Sequence, residues 1–265
     1  MQTADRKAGG FVSERYRVIR AVFFDLWGTL IYDDPAISEQ RRGRRVDGTQ
    51  ATLADMGLPY DRADVAAAEI VAGVALEAMH AGEVDISARG RTLLFLRHLD
   101  DALPDHLDED GWRRLDEAIL TPALVHRPPI MPHAEETLAA VRALKLPVGL
   151  ISNTGATPGF VLREILDDLG LLQHLDVTIF SDEVEMSKPS PAIFAHALEQ
   201  FEVAPYEAVF VGDEPVLDVF GSRRAGMWCV QIGDKPATNA EPHARISALS
   251  ELVPTLHRLG LVADQ

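Results

Sequence analysis

The sequence predicts an α/β fold, a doubly wound parallel sheet with an all-helical subdomain inserted after its first strand. Three observations predict it. Short, wholly apolar runs recur along the chain, helical patterns separate them, and one long helical stretch interrupts the alternation early. Apolar runs without polar alternation are the mark of strands buried on both faces of a parallel sheet.

The first run is Ala21 to Phe24, and Pro147 to Ser152, Val177 to Ser181, Ala208 to Gly212 and Trp228 to Ile232 follow it. Between them, His133 to Leu144 has acids in its first turn and apolar residues at helical spacing. Pro158 to Leu169 and Pro191 to Phe201 behave likewise, the latter with Ser190 as N-cap and Pro191 at the first helical position. Val216 to Ala225 supplies a further helix.

The stretch from Asp33 to Arg127 breaks the alternation. Helical spacing is clear at Asp64 to His80 and around Arg91 to Leu99, and a third helix is expected over Asp108 to Leu120. A connection this long is not a simple loop. Asp34-Pro35 on entry and the proline-rich segment His126 to Pro132 on return mark its ends. The expected division is a loose N-terminal segment 1–17, an α/β core of 18–32 and 128–265, and a helical subdomain of 33–127.

Composition narrows the function. Of 265 residues, 47% are apolar and 25% charged, as in a soluble globular protein. A single cysteine, Cys229, excludes a disulfide framework and argues against a thiolate zinc site. The N-terminus lacks the apolar core of a signal peptide and no run approaches a membrane span, so the chain reads as cytoplasmic. The net charge of −16 argues against nucleic acid as a partner. One basic cluster, Arg41 to Arg45 (RRGRR), stands against that background.

In a doubly wound sheet, functional groups gather at the carboxyl ends of the strands. Strand one ends at Asp25, and strand two at Ser152-Asn153-Thr154. Lys188 follows strand three, and strand four leads into Asp213, Glu214 and Asp218. Each alone has an ordinary explanation as a cap, a turn or a solvated lysine. Together, in this order, they assemble a carboxylate nucleophile, a hydroxyl with backbone donors, a cation and an acidic cluster.

On these segments, FFDLWGTL, the apolar strand ending in Ser152-Asn153, Lys188-Pro189 and VGDEPVLD, the chain resembles the haloacid dehalogenase-like hydrolases over about Val18 to Ile232. The resemblance makes the insertion a helical cap. It implies that Asp25 attacks the substrate and forms an aspartyl intermediate. Ser152 and the Asn153 N–H would hold oxygens of the transferred group, and Lys188 would balance charge. Asp25, Asp213, Asp218 and the backbone carbonyl of Trp27 would hold Mg²⁺. Arg41, near the expected cap hinge, is a candidate for binding an anionic small-molecule substrate through its planar fork; the alternative for RRGRR is a solvated helix start.

Trp27 departs from the family's phosphatases, which carry a second aspartate there to protonate the leaving group and activate water. Indole does not titrate. A 2-haloacid dehalogenase-like enzyme tolerates an aromatic residue, because halide leaves without a proton, but it needs no metal-binding acids. A phosphonoacetaldehyde hydrolase-like enzyme needs a cap lysine, and Lys7, Lys145, Lys188 and Lys235 all lie outside the insertion. The leading reading is a Mg²⁺-dependent phosphohydrolase on a small phosphorylated metabolite, with Glu214, His80 or His98 as substitute proton donors or a leaving group that needs none. A silenced ligand- or protein-binding module is the rival from another class.

Overall fold

The computed structural model describes residues 18–263, so the expected loose segment 1–17 lies outside the described residues. Strand β1 (Ala21–Phe24) opens the fold. It is followed by α1 (Pro35–Asp55), α2 (Arg62–Ala81), α3 (Ala88–Leu99), α4 (Glu109–Leu120) and the short α5 (Pro122–Val125). The alternation then runs α6 (Ala134–Ala143), β2 (Val148–Ser152), α7 (Gly159–Asp168), β3 (Val177–Phe180), α8 (Ser181–Val184), α9 (Pro191–Gln200) and β4 (Ala208–Gly212). A π-helical turn at Pro215–Phe220 leads into α10 (Gly221–Arg224), and β5 (Trp228–Ile232), β6 (Ala244–Ile246) and α11 (Leu252–Arg258) complete the described elements.

The six strands lie in the order β3-β2-β1-β4-β5-β6, every pair parallel. β1 is central, with Phe24 opposite Leu150 of β2 and Val211 of β4. Strand order reverses between β1 and β4, the place where open α/β sheets form their crevice. Strand geometry sends alternate side chains to opposite faces. Val22 and Phe24 therefore enter one core with Leu150, Val211 and residues of α6, α7 and α11. Ala21 and Phe23 enter the other, with Phe210 and with Ile193 and Phe194 of α9.

Helices α1 to α4 bury their own apolar set, including Val46, Leu53, Val65, Phe95 and Leu115, separate from the two sheet cores. Local chemistry sets the helix starts. Asp34 accepts from the N–H groups of Ala36 and Ile37, Ser87 from Gly90, and Asp108 from Gly111. Ser190 caps α9 with Pro191 at its first position.

The structure differs from the sequence reading in three places. The helix expected over Val216 to Ala225 is split. Its first part is a widened turn in which Val219 N–H bonds to Glu214 O, five residues back. Helix α1 extends far beyond the basic cluster. The three-residue edge strand β6 and helix α11 have no counterpart in the sequence reading, because so short a strand carries almost no periodic signal.

Candidate functional site

The site begins at the end of β1. Asp25 N–H bonds to Val211 O of β4 at 2.8 Å, which fixes the backbone as the strand stops. The chain then turns tightly, with Gly28 N–H on Ile31 O at 2.7 Å. Gly28 has φ +78°, and a Cβ there would lie 2.7 Å from the Asp213 carboxylate, so glycine meets both demands. A Cβ on Gly212 would likewise come within 2.4 Å of Asp218. Thr29 Oγ1 donates weakly to Asp25 Oδ2, at 3.4 Å.

Lys188 is fully enclosed, and its Nζ donates to Asp25 Oδ1 at 2.5 Å and to Asp218 Oδ1 at 2.7 Å. Its backbone is gripped by the Asn153 side chain from both sides. Lys188 N–H donates to Asn153 Oδ1 at 2.7 Å, and Asn153 Nδ2 donates to Lys188 O at 2.9 Å. Ser152 is buried beside this clamp, with its Oγ donating to Asn153 O at 3.1 Å. Asp218 Oδ2 accepts from Glu214 N–H at 2.9 Å, which the widened turn after β4 allows.

One carboxylate oxygen from each of Asp25, Asp213 and Asp218 falls within 4.8 Å of the others. Asp213 Oδ2 accepts from Lys235 Nζ at 2.6 Å, while its Oδ1 is buried with no hydrogen-bond partner. Burial, then repulsion from Asp218, pushes the Asp25 carboxyl up to about 7 against the pull of Lys188. Burial also raises Asp213. Burial opposes the charge on Lys188, but Asp218 and Asp25 outweigh it and hold the ammonium above the usual lysine range. Three carboxyl groups thus meet two ammonium groups, those of buried Lys188 and of Lys235. An unpartnered carboxylate oxygen in an all-oxygen donor set fits a hard divalent cation such as Mg²⁺.

Trp27 is half-buried and packs against the sheet core. The Arg41 guanidinium lies over its ring, 5.4 Å from the centroid, and also reaches Ser38 Oγ (2.6 Å) and Asp33. Arg41 and Arg45, four residues apart, share a buried helix face, whereas Arg42 and Arg44 are exposed. Arg45 donates to Ile119 O at 2.8 Å and pairs with Glu69 at 3.1 Å. Arg41 and Arg45 are thus not solvated, whereas Arg42 and Arg44 face solvent as a helix surface would. Trp27, Arg41, Arg42, Arg45, Glu69 and Thr157 line a cleft of about 340 Å³ between the helical insertion and the loop after β2.

The substitute proton donors weighed from sequence do not join Trp27 in this cleft. Glu214 pairs with Lys235. His80 lies 3.0 Å from Asp85 in the α2–α3 connection, and His98 is exposed near the end of α3. Sequence reasoning missed Lys235, which sits in no motif, as the partner of Asp213, and within RRGRR it named Arg41 but not Arg45; only the tertiary packing decides both.

A family model for haloacid dehalogenase-like hydrolases matches residues 19–226. The chain belongs to that family. It is a hydrolase with an α/β core. A phosphoserine phosphatase of Thermus thermophilus is 40% identical over 129 residues, covering 48% of this chain and 51% of that protein. The chain therefore matches about half the length of that relative. A phosphoglycolate phosphatase of Shigella boydii is 26% identical over 256 residues, covering 91% of this chain and 94% of the relative. Among solved structures, a 2-haloacid dehalogenase from Pseudomonas syringae pv. Tomato DC3000 superposes with a TM-score of 0.66 at 25% identity, covering 91% of this chain and 100% of that one.

Proposed function

We propose that this hydrolase is a Mg²⁺-dependent phosphohydrolase of small phosphorylated metabolites, with the helical insertion acting as a cap over the site. The observation that carries the reading is the meeting of Asp25, Asp213 and Asp218 beside Lys188, with Asp213 Oδ1 unpartnered. Three buried or half-buried acids, held by buried Lys188 and by Lys235 and with one carboxylate oxygen still unpartnered, suit a cation and ill suit a metal-free dehalogenase. Full-length phosphatase relatives support the substrate class.

Asp25 is the nucleophile. Its carboxylate forms a bond to phosphorus as the bond to the leaving oxygen breaks, giving an aspartyl phosphate that water then hydrolyses. Lys188 balances charge at Asp25 and on the incoming oxygens. Ser152 Oγ and the Asn153 N–H hold those oxygens. Asp25, Asp213, Asp218 and the Trp27 carbonyl are the residues to hold Mg²⁺, which when bound would neutralise charge on the transferred group. Arg41 presents its fork in the cleft to a second anionic group of the substrate.

Trp27 supplies no proton. General acid–base help is worth about 10²–10⁴ in rate. The favoured substrates therefore have leaving groups that depart as stable anions, as acyl phosphates and phosphoanhydrides do. Trp27 also keeps a second reading in view, a 2-haloacid dehalogenase-like reaction in which halide departs without a proton.

The test is turnover of acetyl phosphate and nitrophenyl phosphate with Mg²⁺ and after chelation, beside halide release from 2-chloropropionate. Phosphate release that requires Mg²⁺ is expected. Halide release that persists without metal would overturn the phosphohydrolase in favour of the dehalogenase, and silence in every arm would leave a binding module.

A further inference from the structure

The helical insertion reaches the core through a buried charged cluster. Arg91, near the start of α3, is 5% exposed. Its Nη2 donates to Asp85 Oδ1 and Oδ2 at 2.8 and 2.7 Å and to Thr154 Oγ1 at 2.7 Å, and its Nη1 donates to Thr154 O at 2.8 Å. Thr154 is the residue after Asn153. It is held from the core side as well, with its N–H on Ser181 Oγ at 2.8 Å and its hydroxyl donating to Asp182 Oδ1 at 2.9 Å. Ser181 Oγ in turn donates to Asp85 Oδ2 at 2.5 Å.

The same connection between α2 and α3 touches the core a second time, at Ser187, the residue before Lys188. Ser187 N–H bonds to Glu83 O and its hydroxyl donates to His80 O and Val84 O, each at 3.3 Å. Val84 and Met186 form a short antiparallel bridge. The contacts close into a ring. It runs from Arg91 through Thr154 and Asn153 to Lys188, then through Ser187 back to the α2–α3 connection. A mere anchor between insertion and core has no reason to choose the two backbone neighbours of Asn153 and Lys188.

We propose that Arg91 is a positioning residue for the reaction, fixing Thr154 from the insertion and thereby the Ser152–Asn153 turn and the Lys188 backbone clamped by Asn153. This role rests on the reading of Asp25 and Lys188 as the reaction centre. The planar fork is essential to it, because one guanidinium engages Asp85 and both Thr154 oxygens together, while a lysine keeps the charge and loses that geometry. Small misplacements of positioning groups are known to cost about 10²-fold in rate.

The experiment uses the full chain with Arg91→Lys, Thr154→Val and Thr154→Ser, and reads two quantities. The first is amide hydrogen exchange over residues 152–158 and 186–190. The second is kcat and KM with nitrophenyl phosphate and Mg²⁺. In folded Arg91→Lys, exchange at Thr154 rises about tenfold or more while the strands and α1 stay protected. Its kcat falls on the order of ten- to a hundredfold with KM within about twofold. Thr154→Val follows it, and Thr154→Ser, which keeps the hydroxyl, stays near wild type. Unchanged exchange and kcat in folded Arg91→Lys would overturn the role. So would faster exchange with unchanged kcat, or a loss of protection spread over the whole chain. If Arg91→Lys fails to fold, the Thr154 pair decides by the same criteria. A wild type that releases no phosphate would remove the functional reading and this role with it, and the exchange arm would still report whether the clamp exists.

Discussion

The Arg41 guanidinium lies over the Trp27 indole, 5.4 Å from the ring centroid, in the cleft between the insertion and the loop after β2. Trp27 stands two residues after Asp25, so this pair joins the turn that follows Asp25 to the helical insertion. Stacking of this kind is worth about 0.5–1 kcal/mol at exposed sites and more when desolvated.

Replacing the indole tests whether missing proton transfer limits the site. Trp27→Asp is expected to raise hydrolysis of alkyl phosphate esters, whose leaving groups need a proton, more than that of nitrophenyl phosphate. Trp27 is half-buried, so the stability cost should fall below the ~3–5 kcal/mol of a fully buried tryptophan. Steady-state rates on both ester types check this after thermal unfolding has shown a folded variant. No gain on any alkyl ester would count against the acid–base explanation.

Arg41→Lys keeps the charge and loses the fork. For an ester with a second anionic group, such as phosphoglycolate, KM should rise about tenfold, or about 1.4 kcal/mol, while ethyl phosphate changes little. Equal effects on both esters would show that Arg41 does not read a second anion.

Asp25→Asn is expected to abolish turnover, since an amide is not a nucleophile, and to leave a folded protein. It also removes a titration. In the metal-free protein the Asp25 carboxyl is pushed up to about 7, so the folded state binds this proton more tightly than the unfolded chain. The stability it contributes is full below the ordinary aspartate value of 3.8 and is lost as pH rises through about 7. In chelator, wild type should therefore lose Tm relative to Asp25→Asn over that window, and the difference should level off above it. A difference that does not move with pH would contradict the raised carboxyl.

Mg²⁺ should bind directly, measured by calorimetry without substrate, and Asp213→Asn should weaken binding at least about tenfold by removing one carboxylate charge. Retained affinity in that variant would exclude Asp213 as a ligand.

Gly28→Ala places a methyl group 2.7 Å from the Asp213 carboxylate at φ +78°. The backbone conformation alone costs about 1–2 kcal/mol, and Asp213 must also move. Both Tm and Mg²⁺ affinity should fall. A drop in Tm with unchanged Mg²⁺ affinity would show that Asp213 is free to shift.

Much of the core was legible in the chain. The runs Ala21 to Phe24 and Ala208 to Gly212 are wholly apolar because both faces of a central parallel strand are covered, and the strands follow those runs closely. A polar residue that ends such a run emerges at the carboxyl edge of the sheet. The sequence alone therefore placed Asp25, Ser152 and Asp213 at one edge, and the structure gathers Lys188 and Asp218 with Asp25 and Asp213 there. Other features were decided only by tertiary packing. Helical spacing says that Arg41 and Arg45 share a face, but not that this face is the buried one, with Arg41 over Trp27 and Arg45 on Glu69. Nothing local marks Arg91 as the partner of Thr154, 63 residues away, or Lys235 as the partner of Asp213. The reason is physical. Local sequence sets which side chains lie together on one element, whereas contacts between elements depend on how the insertion settles on the sheet, and that is settled by the whole packed surface at once.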